Sequence, residues 1–412
     1  MNQNFRSPTM LQPALAGLAL AGATYAFGSM LTAFTGRAPA PAGSRHRPHR
    51  PASYVRYHPG VEQIEPDEEA TFDRIIAAMA AGMKLNRERY GRSLRSSHAK
   101  AHGLLAGELR VLDGLPPELR QGLFATPRSY PVIVRLSHVP AELLDDRKVS
   151  GPRGMALKIL DVPGEMLPGH QGERTQDWIL DTGKVFIAPG AKTFLAQITA
   201  TEAAALLPEG VKSAVSTAAR AGNKALHAVG LDSANLDFYG HPVLHPLAEP
   251  YYSQCPMRYG DYIAKLGVFP DHAALRALIG QKLDLQDEDG LRTAVRAFFR
   301  DHPAEFVIGI QLCTDLERMP VENANQEWPE DESPYRPVAR LVLPPQDAFN
   351  AARASFVDEG LAFCPSHSLA AHRPLGSIMR ARMKVYEVLG RARREENGRP
   401  VREPRDMAEM PG

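Results

Sequence analysis

Hydrophobic positions first fall into a helical rhythm soon after residue 65. The run Glu65-Pro66-Asp67-Glu68-Glu69 puts proline and acids into a first turn, and Phe72, Ile75, Ile76, Met79 and Met83 form the stripe behind it. Past residue 95 the pattern turns to strands. Residues 102–114, 129–139, 151–162 and 177–187 each read as extended, the second being the richest in β-branched side chains. Residues 115–118, Leu-Pro-Pro-Glu, predict a short helix, and the Ala-rich stretch 193–229 a longer one broken at Pro208-Glu209-Gly210. Strand character returns at 259–268, 306–313 and 339–344, with helices at 273–279 and 292–300. The last helix covers 376–394, with an apolar stripe of Ile378, Val385, Leu389 and Ala392 and a stop at Asn397-Gly398 and Pro400. Antiparallel strands in succession with few helices predict an α+β fold, a closed antiparallel β-barrel with surrounding helices.

The N-terminus is different. No charged side chain occurs over residues 7–36, and residues 11–34 are long enough to span a bilayer. Three readings stay open. Arg37, Arg45, Arg47 and Arg50 after the span favour a retained membrane anchor with the main domain on the cytoplasmic side. Ala38-Pro39-Ala40 or Ala40-Pro41-Ala42 fits cleavage of an export signal, giving a periplasmic or secreted protein. Weak Ala/Gly hydrophobicity fits a helix that docks on the protein. The expected organisation is an apolar helical segment over 1–36, a Pro/Arg linker over 37–52, one catalytic domain over 53–400 and a tail over 401–412.

Charge narrows the partners. The 48 basic and 47 acidic residues nearly cancel, which argues against nucleic acid. Cys255, Cys313 and Cys364 are odd in number and far apart, so they read as buried free thiols rather than disulfides or zinc ligands. In the last helix Arg382, Tyr386 and Arg393 fall at i, i+4 and i+11 and share one side. An arginine one turn from a tyrosine is either a surface stacking pair or a guanidinium that holds a phenolate against a metal.

Five motifs decide between these. Arg95-Ser-Ser-His98-Ala-Lys resembles the RxxHAK segment of haem catalases, and Val134-Arg135-Leu136-Ser137 resembles their VRFS strand. Gly151-Pro-Arg-Gly154-Met-Ala-Leu-Lys158 resembles DPRGFAVK, Val185-Phe186-Ile187 with Phe194 resembles the VFF…F run, and Arg382-Met-Lys-Val-Tyr386 resembles the proximal RxxxY. In this order they resemble the haem catalase superfamily, in its catalase-related peroxidase branch, over residues 95–194 and 376–393. The resemblance implies a haem cofactor with Tyr386 on the iron and Arg382 as its tuner. It implies His98 as the acid/base, oriented by Ser137, with Phe194 near the haem plane beside Phe186. Arg95, Arg135 and Arg393 would pair with the propionates. A phenol of pKa ~10 needs such a guanidinium to ligate at neutral pH. The implied activity is a peroxidase or catalase acting on hydrogen peroxide or organic hydroperoxides. The alternatives are a fatty-acid hydroperoxide isomerase and a non-catalytic haem- or lipid-binding barrel.

Three departures stand out. Asp181 occupies the place of the family's distal asparagine, with Thr182 as a substitute donor; an ionised Asp accepts but does not donate, and it would favour protonated His98. Ser97 puts a hydroxyl just before the histidine, as in the allene oxide synthase branch, where it would tie up the imidazole. The long middle section and the short C-terminus also do not resemble the NADPH-binding region of the larger catalases.

Overall fold

Alternation of inward and outward side chains builds the central element. A computed structural model describes residues 53–205, 207–228 and 233–412. The strands are β1 (Ala101–Val111), β2 (Ser129–His138), β3 (Arg153–Ile159), β4 (Gln176–Asp181), β5 (Tyr251–Tyr252), β6 (Met257–Tyr259), β7 (Tyr262–Pro270), β8 (Ala304–Leu312) and β9 (Arg336–Leu343). All pair antiparallel in the order β5-β4-β3-β2-β1-β9-β8-β7-β6, and a β5–β7 pairing closes eight of them into a barrel, with β6 as a flanking hairpin arm. Val134, Leu136, Met155, Leu157, Trp178 and Leu180 point inward and fill the barrel. Their neighbours Arg135, Ser137, Gly154, Ala156, Ile179 and Asp181 therefore face outward.

Helices surround the barrel: α1 (Glu68–Tyr90), α2 (Ala191–Ala205), α3 (Glu209–Ala228), α4 (Ala234–Gly240), α5 (Gly290–Asp301) and α6 (Ser377–Glu396). Phe72, Ile75, Met79 and Met83 of α1, Leu195 of α2 and Val385 and Leu389 of α6 form one cluster, which fixes α6 at a set distance from the barrel wall. The C-terminal residues pack back: Met410 joins Phe349 and Leu361 in a buried cluster, and Glu403 pairs with Lys158 at 2.6 Å.

Three expected elements come out differently. Residues 115–118 form a turn, because Gln121 is extended and Gly122 is left-handed (φ 52°), so only a 3-10 turn at Gly122–Phe124 follows. The strand expected over 259–268 is a hairpin, bent at Gly260 (φ 59°) with Tyr259 opposite Tyr262. The strand expected over 177–187 stops at Asp181, and Phe186 N pairs instead with Ala324 O at 2.9 Å. All three cysteines are free and buried. The segment 1–36 and linker 37–52 lie outside the described residues; no described helix is long and apolar enough to cross a membrane.

Candidate active site

Barrel register assembles one wall of the site. Ser137 on β2 lies opposite Gly154 on β3, Gly154 opposite Asp181 on β4, and Asp181 opposite Tyr252 on β5. His98 stands just ahead of β1 and reaches over this row. Its Nδ1 lies 3.2 Å from Ser137 Oγ, and its Nε2 lies 3.9 Å from Asp181 Oδ2. The backbone of His98 is left-handed, φ 53°. It is pinned from both sides: His98 N donates to Val139 O (2.8 Å), and Arg135 Nη2 donates to His98 O (2.5 Å). Such a conformation persists only where its surroundings enforce it.

Gly154 makes room for the imidazole. A Cβ there would stand 2.5 Å from His98 Nδ1 and 3.0 Å from Ser137 Oγ, which no ordinary packing allows. Gly154→Ala is therefore expected to push the ring out of its seat and to cost about 1–3 kcal/mol of stability. Thermal unfolding of the variant beside the wild type measures this.

The opposite wall is α6. Arg382 Cζ lies 5.5 Å from the Tyr386 ring centroid, and the positive charge of Arg382 is raised in stability by Tyr386 and Cys255 against the opposing effect of burial. His98 and Tyr386 line the same cavity, which has two adjoining chambers with about 640 and 1210 Å³ of empty space, part of it open solvent. The smaller is lined by Arg95, Arg135 and Arg393. The larger is mostly apolar, and Phe186 and Phe194 meet there edge to face at 5.2 Å.

The arginine end has an excess of positive charge. Arg95 donates to Val357 O (2.5 Å) and Leu361 O (2.8 Å), and Arg393 to Asp358 O and Leu361 O (2.6 Å). Among the described residues, only Asp358, 3.9 Å from Arg95, offers a carboxylate to the three. Arg135 Nε is buried without a hydrogen-bond partner. Burial pushes Arg95 down to about 10 and Arg135 and Arg393 well below the ordinary guanidinium value. Since arginine does not lose its proton in proteins, the strain stays as uncompensated positive field that an anion relieves. Buried guanidiniums short of counter-charge beside an apolar chamber fit an apolar group that carries negative charge.

The electrostatics reverse one expectation from the sequence. Burial, then Arg135, Arg382 and Arg95, push His98 down to about 3, so the imidazole is neutral and remains a base. Burial raises Asp181 to about 7, against a hydrogen bond from Thr182 N. Burial first, and then the three guanidiniums, oppose the protonation of His98 that a neighbouring carboxylate would favour. Thr182 lines neither chamber, and its Oγ1 accepts from Arg153 N at 3.2 Å. Ser97 lines both chambers, but Ser137 is the hydroxyl that holds His98 Nδ1.

Two groups escaped the sequence reading. His241 Nδ1 lies 2.8 Å from Asp237 Oδ1 and its Nε2 2.5 Å from Glu249 Oε1, a buried charged cluster whose field acts on Asp181. Asp237 and His241 stand at i, i+4, a spacing visible in the sequence. Glu202 of α2 lines the larger chamber and is raised to about 7 by burial and by Glu142; nothing in its Ala-rich helix marks it.

Comparison with solved structures returns the same architecture. A fungal catalase matches with 19% identity and TM-score 0.52 over 75% of this chain and 61% of its own. Catalase A from Saccharomyces cerevisiae matches with 16% identity and TM-score 0.51 over 76% and 63%. A bacterial catalase matches with 13% identity and TM-score 0.50 over 91% and 72%. The chain thus spans about three-fifths of the length of the first two. No protein-family model and no curated protein matches the sequence. With its closed eight-stranded antiparallel barrel and helical cover, the chain has a catalase-like fold.

Proposed function

We propose that the chain is a haem protein that turns over hydrogen peroxide or organic hydroperoxides. The observation that carries this is the convergence of His98, Tyr386 and three under-compensated arginines on one cavity. Tyr386 would hold the iron, with Arg382 supplying counter-charge to its phenolate. Arg95, Arg135 and Arg393 would hold the propionates, for which a planar fork of donors is suited. Phe186 and Phe194 would flank the ring system. When bound, haem supplies an iron that exchanges electrons with the peroxide.

Proton movement belongs to the chain. With Nδ1–H donated to Ser137 Oγ, His98 presents a lone pair at Nε2 toward the cavity. Nε2 takes the proton from one peroxide oxygen and returns it to the leaving oxygen. Protonated Asp181 donates a hydrogen bond to the substrate; ionised, it accepts only and that donor is lost. Turnover is therefore expected to fall as pH rises through about 7, where Asp181 ionises. Asp181→Asn, a donor at every pH, should flatten that limb of the pH–rate profile.

The apolar lining of the larger chamber favours a second reading, isomerisation of a fatty-acid hydroperoxide. Parallel assays of the haem-loaded chain decide between them. Oxygen release from hydrogen peroxide or oxidation of a reducing dye supports the first reading. Conversion of a lipid hydroperoxide to an isomer of equal mass, with neither, supports the second. Consumption of no peroxide at all sinks both and leaves a binding barrel.

A further inference from the structure

Behind α6, away from the cavity, two loops are strapped together. Leu167 N donates to Ser368 O (2.9 Å), Ala370 N to Glu165 O (2.8 Å), and Met166 bridges Leu369. The strap brings together three side chains that the peroxide reading does not use. His170 Nδ1 lies 3.1 Å from Glu173 Oε2, His367 Nδ1 lies 2.9 Å from the same oxygen, and all three atoms lie within 4.8 Å of one another. We propose that His170, Glu173 and His367 bind a divalent transition-metal ion.

Donor chemistry and spacing support this. Two imidazole nitrogens and one carboxylate oxygen suit zinc and its neighbours. Ligands 2.0–2.1 Å from a tetrahedral ion stand roughly 3.3 Å apart, so the two edges to Glu173, at 3.1 and 2.9 Å, need to open by only a few tenths of an ångström. The outer shell is also present. His170 Nε2 lies 3.0 Å from Glu387 Oε1, the arrangement by which a carboxylate fixes the tautomer and aims the other nitrogen at a metal. His367 Nδ1 points into the cluster, is buried, and makes no hydrogen bond of proper geometry.

Other clusters lack one condition. His102, His138 and Asp146 are joined by Lys100, 2.9 Å from Asp146, and Asp177, His367 and Glu403 by Lys158 at 2.7 and 2.6 Å. An ammonium already occupies the place of a cation in both. Glu173, among the described residues, pairs with the two histidines alone. The turn that carries His170 and Glu173 is held by left-handed Gly169 and Gly172, each at φ 92°.

Zinc titration of the full chain against a chromophoric chelator tests the proposal. One equivalent should bind, His367→Ala and Glu173→Gln should weaken binding at least ~10-fold, and Glu387→Gln should weaken it by about 10–100-fold through the outer shell. Glu173→Gln keeps shape and volume, so it decides the matter if a histidine variant does not fold. Tyr386→Phe should bind zinc as the wild type does, which separates this site from the haem reading. Failure of the wild type to take up one equivalent, or unchanged affinity in Glu173→Gln, overturns the proposal.

Discussion

Tyr386→Phe is expected to lose at least ~10-fold in haem affinity, the low end of what removing even an outer-shell partner costs a metal site. Peroxide turnover should fall with it. The fold should not change, because the substitution keeps the ring. Tyr386 packs its ring beside the cluster of Phe72, Met79 and Val385, and phenylalanine fills the same space. Only the hydroxyl is lost, and with it a contact to Arg382 worth about 1 kcal/mol or less in a half-buried setting. Equal thermal midpoints of the two haem-free chains, together with unequal haem titrations, would assign the effect to ligation. Equal titrations would show that Tyr386 does not hold the iron.

The second large effect belongs to the other wall. His98→Ala is expected to cut peroxide turnover by about 10²–10⁴-fold, the usual contribution of a positioned acid/base. Haem content should stay at the wild-type level, since anchoring falls to Tyr386 and the arginines. The wild-type rate should hold into mildly acidic solution, because burial and three nearby guanidiniums keep His98 unprotonated to about 3. Turnover of the variant within a few-fold of wild type would remove His98 from the mechanism. The two variants thus separate binding from chemistry: one empties the cavity, the other leaves it filled and slow.

The parts legible in the sequence are those set by local pattern. Helix α1 and helix α6 show their buried stripes directly, and β2 its β-branched run. Barrel closure is not legible in the same way. It rests on β5, whose two residues Tyr251–Tyr252 leave no periodic signal, and on their pairing with Val268 and Gly267 of β7, a contact across strands. The site shows the same division. The order of motifs pointed to His98, Ser137 and Tyr386, because each sits in a short run of characteristic residues. Register alone aligns Ser137, Gly154 and Asp181 in one row, and a row across strands is invisible to a reading along one. Electrostatics is the least legible layer. From the sequence Asp181 is a carboxylate beside a histidine; in the fold it lies in a site where burial, and after it Arg135, Arg382 and Arg95, hold that histidine neutral.

The central claim is that one cavity, walled by His98 and Tyr386, binds haem through the phenolate. A haem titration of the purified chain, followed in the Soret region beside Tyr386→Phe, tests it most directly. The account predicts saturable uptake of one haem per chain with a ferric, tyrosinate-type spectrum that the Phe variant does not reproduce. No saturable Soret change in the wild type, or identical spectra in both chains, would contradict it.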